Sequence, residues 1–121
     1  MLGMIELERA ALETTYDGTM AVTGIRKTVV DGETVVTPDA VLYVDQACAL
    51  SKEDDAKTMQ GEDGGKITLT HKIFCAPELI IPPGCRITVQ QYGRTMELKY
   101  SGKAFAYPTH QEIMVQMDGM A

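Results

Sequence analysis

Residues 74–117 read FCAPELIIPPGCRITVQQYGRTMELKYSGKAFAYPTHQEIMVQM. Pro82-Pro83-Gly84 fixes one backbone angle and then permits a positive one, so the chain turns there and enters a strand at Cys85. Cys85, Ile87 and Val89 fall on one face of that strand, and Arg86, Thr88 and Gln90 on the other. Gln91-Tyr92-Gly93-Arg94 reverses the chain into residues 95–100, where Met96, Leu98 and Tyr100 alternate with Glu97 and Lys99, the pattern of a β-hairpin. A last strand, from about Gln111 to Met117, turns Ile113, Val115 and Met117 to one side.

Working upstream, alternation holds at Ile67, Leu69, His71 and Ile73, with Lys66, Thr68, Thr70 and Lys72 opposite. From Val41 to Leu50 the apolar face is Leu42, Val44, Cys48 and Leu50, interrupted by Gln46. A strand dense in β-branched residues runs from Thr19 to Val30. Asp31-Gly32 turns it into Glu33–Thr37, and Pro38-Asp39 is expected to end that piece. The plausible helix is residues 2–13, with Met4, Leu7 and Ala11 sharing a face and Glu6, Glu8 and Arg9 left to solvent. Between Leu50 and Ile67 the core pattern disappears, and residues 51–66 read as a mobile, polar, acidic loop.

Short strands joined by turn signals, without βα alternation, predict a mainly β fold. The expectation is a small antiparallel β-barrel or sandwich of six to seven strands, with a short N-terminal helix and one long polar loop. The 121 residues suit a single domain, 1–121, with the barrel over 19–117.

The composition, 45% hydrophobic and 23% charged, is that of a globular chain, and no apolar run approaches the length of a membrane span. The N-terminal residues lack the basic and long apolar regions of a signal peptide, which predicts assembly in the cytoplasm without a membrane partner. Cys48, Cys75 and Cys85 are odd in number and widely spaced, as suits reduced thiols in strands. A net charge of −6 argues against a protein that grips duplex DNA by neutralising phosphates. It leaves room for an acidic ring that repels DNA and lets it slide.

Catalytic and metal signatures are weak. His71 and His110 are the two histidines, and His110 and Glu112 point the same way along a strand. With Cys75 or Cys85 they would be the material for a metal site, but no pair has diagnostic ligand spacing, and hydrogen-bonded structural histidines are the simpler reading. Neither Ser51 nor Ser101 lies in a nucleophile motif. Glu53-Asp54-Asp55 lacks calcium-loop spacing, and Gly61, Gly64 and Gly65 sit among acids that would repel a phosphate. The sequence therefore predicts no enzyme, no cofactor and no metal, with a small metal-dependent enzyme as the remote alternative. Met20, Met96, Met114 and Met117 read as packing residues in strands. Met59, alone in the acidic segment, is either a contact for a neighbouring subunit or a chance exposure.

Three strings carry a family resemblance: Lys72–Gly84, Gly93-Arg94-Thr95, and Phe105–Ile113 with its FAYPTHQEI, joined upstream by Ala47–Lys52. Over residues 40–117 the chain resembles the head-to-tail joining proteins, the head-completion or stopper-like connectors, of Gram-positive siphophages and PBSX-like prophages. The resemblance implies a structural virion protein that forms a self-associated ring in the particle. Its partners would be the portal or adaptor ring and the tail proteins, with DNA in the channel contacted without sequence specificity. It also implies that the segment between the second and third barrel strands closes the DNA exit channel. Here that segment supplies Lys52, Glu53, Asp54, Asp55, Lys57, Met59, Glu62 and Asp63 as candidate stopper or docking residues. A tail-completion module or another β-barrel interaction module of the particle is the alternative. The helix and the exposed hairpin faces are the expected inter-subunit surface.

Overall fold

The computed structural model describes residues 3–60 and 66–117, with side chains described throughout except at 53–60 and 66–69. In chain order the elements are α1 (Met4–Glu13), β1 (Gly18–Val30), β2 (Glu33–Gln60), β3 (Lys66–Cys75), β4 (Arg86–Gln91), β5 (Arg94–Ala106) and β6 (Gln111–Met117). The strands close into an antiparallel barrel in the order β1-β2-β3-β6-β5-β4. Closure removes the sheet edges that an open sheet of this size would expose.

The C-terminal hairpins take the form their turn chemistry dictates. Tyr92 and Gly93 both have positive φ, as do Asp31 and Gly32, which matches the right-handed twist of the strands they join. At Pro82-Pro83-Gly84 the Cys85 N–H reaches back to the Pro82 carbonyl (3.4 Å), and Gly84 takes φ +90°. Ile87, Val89, Leu98, Ile113 and Val115 are fully buried and form the centre of the core with Met20, Val22, Ile73 and the three cysteines.

Three expectations are corrected. Pro38-Asp39 does not end a strand: β2 continues for 28 residues. It does so by bulging against β1 where Pro38 and Asp39 face Ile25, at Leu42, and around Val44 and Asp45. Asp39 and Asp45 take positive φ, a conformation that short polar side chains tolerate better than most. The bulges break the strict alternation, so Leu42 and Tyr43 both pack on the core while Val44 faces outward. Second, α1 forms as expected but packs in another rotation. Met4 is 74% and Leu7 54% exposed, whereas Arg9, Leu12 and Glu13 are the half-buried positions. On this face Arg9 forms a two-pronged ion pair with Glu78 (Nη2–Oε2 2.9 Å) and a further one with Glu13 (3.3 Å).

The third correction concerns the acidic segment. Residues 51–60 are strand, paired with β3 from Ser51–Lys72 through Lys52–His71 and then from Lys57–Leu69 to Gln60–Lys66. Residues 53–56 bulge opposite Thr70. The two strands hold each other in register here with alternating apolar and polar residues only on β3, which is why β2 gives no periodic signal. Residues 61–65, including Glu62 and Asp63, lie outside the described residues.

Candidate functional site

The pairing ladder shows where strands leave the barrel. β1 and β2 are paired from Gly18–Cys48 outward, and β3 and β6 from His71–Val115 inward. Beyond Ser51 on β2 and His71 on β3, the two strands pair, among the described residues, only with each other, and they form a ribbon that continues past the barrel. Lys52 is exposed at its base, with Glu53, Asp54 and Asp55 in the bulge and Lys57 and Met59 on the distal paired stretch.

The base of this ribbon is fixed by a side chain that imitates a strand. The Gln91 amide donates to the Leu50 carbonyl (3.1 Å) and its oxygen accepts from the Leu50 N–H (2.9 Å). Both backbone groups lie beyond the end of β1 and would otherwise lack a partner strand. On the other side, His71 is half-buried against Thr70 Oγ1 (Nδ1–Oγ1 2.7 Å). Burial, and secondarily the charge of Lys52, push its pKa down from 6.5.

A second arrangement is built by the FAYPTHQE string. The Tyr107 N–H bonds the His110 carbonyl (2.8 Å), closing the reversal between β5 and β6, and the two rings stack at 4.8 Å with 12° between planes. His110 Nδ1 meets Thr109 Oγ1 at 2.9 Å, and Nε2 lies 2.8 Å from Glu112 Oε2. Lys72 reaches the other Glu112 oxygen at 3.3 Å, and the Phe74 ring sits 5.8 Å from the His110 ring. Burial would raise the Glu112 carboxyl, but the hydrogen bonds from His110 and Lys72 outweigh it and hold the group below its usual range. The neighbourhood of His110 and Glu112, expected from their spacing, is thus a direct contact. Phe105 and Tyr107 remain about half exposed beside it.

The third buried linkage is Gln111, whose amide nitrogen donates to the carbonyls of Ala76 and Leu79 (2.8 Å each). It pins the turn that carries Glu78, and so indirectly the helix held by Arg9. Among the described residues, no three of His, Cys, Asp and Glu group so as to hold a metal. The cysteines are free and buried: burial raises Cys48 to about 11 and Cys75 to about 12, and moves Cys85 up as well. Thiols held protonated are poor nucleophiles.

The β1–β2 hairpin with its Asp31-Gly32 turn was expected; what sequence reading missed is that its far half, at the opposite end of β2, projects as a second ribbon. β4 pairs with β1 only as far as Thr23–Arg86, yet β1 and β2 stay paired from Arg26–Thr37 to Val30–Glu33. Every residue from Ile25 to Asp39 is exposed. The available signal was Asp39, whose positive φ lets β2 run through Pro38 instead of stopping.

No family model matches the chain, and no curated protein matches it. Among solved structures it is similar to the phage-like element PBSX protein xkdH from Bacillus subtilis. The two are 12% identical, with a TM-score of 0.45 over 84% of this chain and 91% of that one.

Proposed function

We propose that this chain is a structural protein of a tailed-phage or prophage particle, joining head to tail and closing the DNA exit channel as part of a ring. The observation that carries the reading is the β2–β3 ribbon standing off a closed barrel. Its position between the second and third strands, where the resemblance implies a stopper segment, supports the reading. A paired ribbon suits a plug better than an unpaired loop does, because the pairing of its described residues already restricts the backbone and less entropy is lost when copies meet on a symmetry axis.

Glu53, Asp54, Asp55, Glu62 and Asp63 outnumber Lys52 and Lys57 in this segment. Repeated around a ring, that excess repels DNA phosphates, which favours a steric barrier that releases readily over a clamp. The partners in this reading are the portal or adaptor ring on one side and tail proteins on the other. The reading assigns no catalysis: His71 and His110 are used as hydrogen-bonding struts.

Electron microscopy of particles from a strain lacking only this gene, with a complemented control, tests it. Tailless heads emptied of DNA beside free tails are expected. Filled heads carrying tails overturn closure, and filled heads lacking only a tail-proximal ring favour the tail-completion role.

A further inference from the structure

We propose that copies of this chain join head to tail by lodging the acidic tip of the β1–β2 arm of one copy in the cleft at the base of the arm on the next. The arm is an isolated two-stranded ribbon. Ile25 and Val29 (63% and 72% exposed) lie with Val36 on one face by register, and Val30 and Val35 lie on the other. A ribbon of this kind with β-branched residues on both faces has little stability of its own in water and gains it from a third strand or a covering surface. Both of its edges are open, since β4 leaves β1 at Thr23 and β3 joins β2 only at Cys48.

The cleft has a volume of about 390 Å³. The open edge of β1 at Gly24 and Ile25 forms one wall and Pro82-Pro83-Gly84 the other, with Arg86 and Lys99 beside Asp39. The lining holds two cations, Arg86 and Lys99, against one carboxylate, Asp39, and Arg86 is already engaged within the chain, so exposed Lys99 is the cation on which charge recognition turns. An occupant should therefore be a short turn with an extended backbone for the strand edge and a surplus of carboxylate. The arm tip, Asp31-Gly32 followed by Glu33, is that object: a preformed tight turn, fully exposed, carrying two acids. It does not reach its own cleft, because Ile25 and Asp31 are separated along the paired ribbon by roughly 20 Å. A second copy brings it. An incoming strand beside Gly24 adds main-chain hydrogen bonds, and Lys99 meets Glu33 or Asp31 at the rim. Tip and cleft are different patches, so the contact is heterologous and repeats from copy to copy, forming a ring where its rotation closes. The head-to-tail order rests on the ring reading given above; the contact itself does not.

Paired cysteines test it. With Glu33→Cys and Lys99→Cys in one chain, mild oxidation of concentrated protein is expected to give a ladder of disulfide-linked dimers, trimers and higher species. The native thiols stay silent because all three are buried. Dimer alone means mutual exchange between two arms and overturns the head-to-tail order; monomer alone overturns the contact. Charge reversal gives an independent arm. Glu33→Lys or Lys99→Glu alone should weaken association about tenfold, equivalent to 1.4 kcal/mol, and the two together in one chain should restore it. Failure of restoration, with circular dichroism unchanged, also counts against the contact. Particles built from the Lys99→Glu protein that still show a normal ring overturn the arm contact while leaving closure standing. Normal particles without the gene overturn closure and leave the crosslinking result intact.

Discussion

Gln91 and Leu50 are joined as two strands would be, one side-chain amide pairing both the N–H and the carbonyl of a single residue. The pairing sits where β1 has ended and the β2–β3 ribbon begins, so it determines how stiffly the ribbon leaves the barrel. Gln91→Leu keeps the volume and leaves two half-buried backbone groups without partners. A loss of about 1–3 kcal/mol is expected from chemical denaturation. Hydrogen exchange at Leu50 and Ser51 should accelerate more than at Ile87 or Val115, and uniform acceleration across the barrel would contradict the local role.

Gly24 lies against Cys85, the residue just before β4. A Cβ there would stand 2.6 Å from Cys85 Sγ and 3.2 Å from Leu42 Cδ1. Because Cys85 is buried, Gly24→Ala forces a displacement in the core, and a loss of about 1–3 kcal/mol is expected. Cys85→Ala should recover much of it in the double variant, although it costs stability by itself. Additive losses in the double-mutant cycle would mean the strain lies elsewhere.

The C-terminal half of the fold was legible because its turns carry their own geometry. Gly84 and Gly93 take the positive φ that their turns demand, and the residues between them alternate without interruption. β2 was not legible, because its bulges at Asp39, Leu42 and Asp45 shift the phase of alternation, and residues 51–60 lack an apolar period altogether. That is why a continuous strand read as two short ones and a loop. The neighbourhood of His110 and Glu112 was legible from a spacing of two. The ion pair between α1 and the turn at Glu78 was not, since Arg9 and Glu78 are far apart in sequence and no local pattern links them.

Acid should destabilise the protein in two steps. The folded state holds the pKa of His71 below 6.5, so the unfolded chain binds its proton first. The corresponding stability is complete above pH 6.5 and is lost as pH falls through the folded value. Glu112 is held below 4.5, so its contribution is present above pH 4.5 and disappears as pH drops through its folded value. Urea midpoints measured against pH should lose the upper limb in His71→Asn and the lower limb in Glu112→Gln. The second change should also cost about 1–2 kcal/mol at neutral pH through the lost charged hydrogen bonds. An unaltered pH profile in Glu112→Gln would remove the carboxylate from this account.

The thiols should report unfolding. Cys48 and Cys75 are register partners across β2 and β3, both fully buried, with pKa values raised to about 11 and about 12 by burial. A thiol reagent at pH 8 should therefore label them only as fast as the barrel opens, and labelling should rise together with loss of circular dichroism in urea. Stoichiometric labelling of the native protein within seconds would show an opening that the packed core does not allow.

Removing residues 54–62 separates the role of the ribbon from that of the barrel. The deletion takes away the β2 side of the distal pairing, Lys57–Leu69 to Gln60–Lys66, and leaves Ser51–Lys72 and all pairs inward of it. Among the residues whose side chains are described, those that form the core all lie outside the deleted segment. The shortened chain should therefore unfold cooperatively within a few degrees of the intact one, and connector rings should still be visible on particles. What should fail is retention: heads packed with DNA should leak it, and infectious titre should fall although capsids and tails are made in normal number. The opposite pattern, normal titre with the shortened ribbon, would take the closure role away from this segment and leave the barrel as a joining ring alone. Replacing the acids of the same segment by their amides tests the electrostatic part. Closure by steric blockage survives that change, while release on infection should slow because the repulsion from phosphate is reduced.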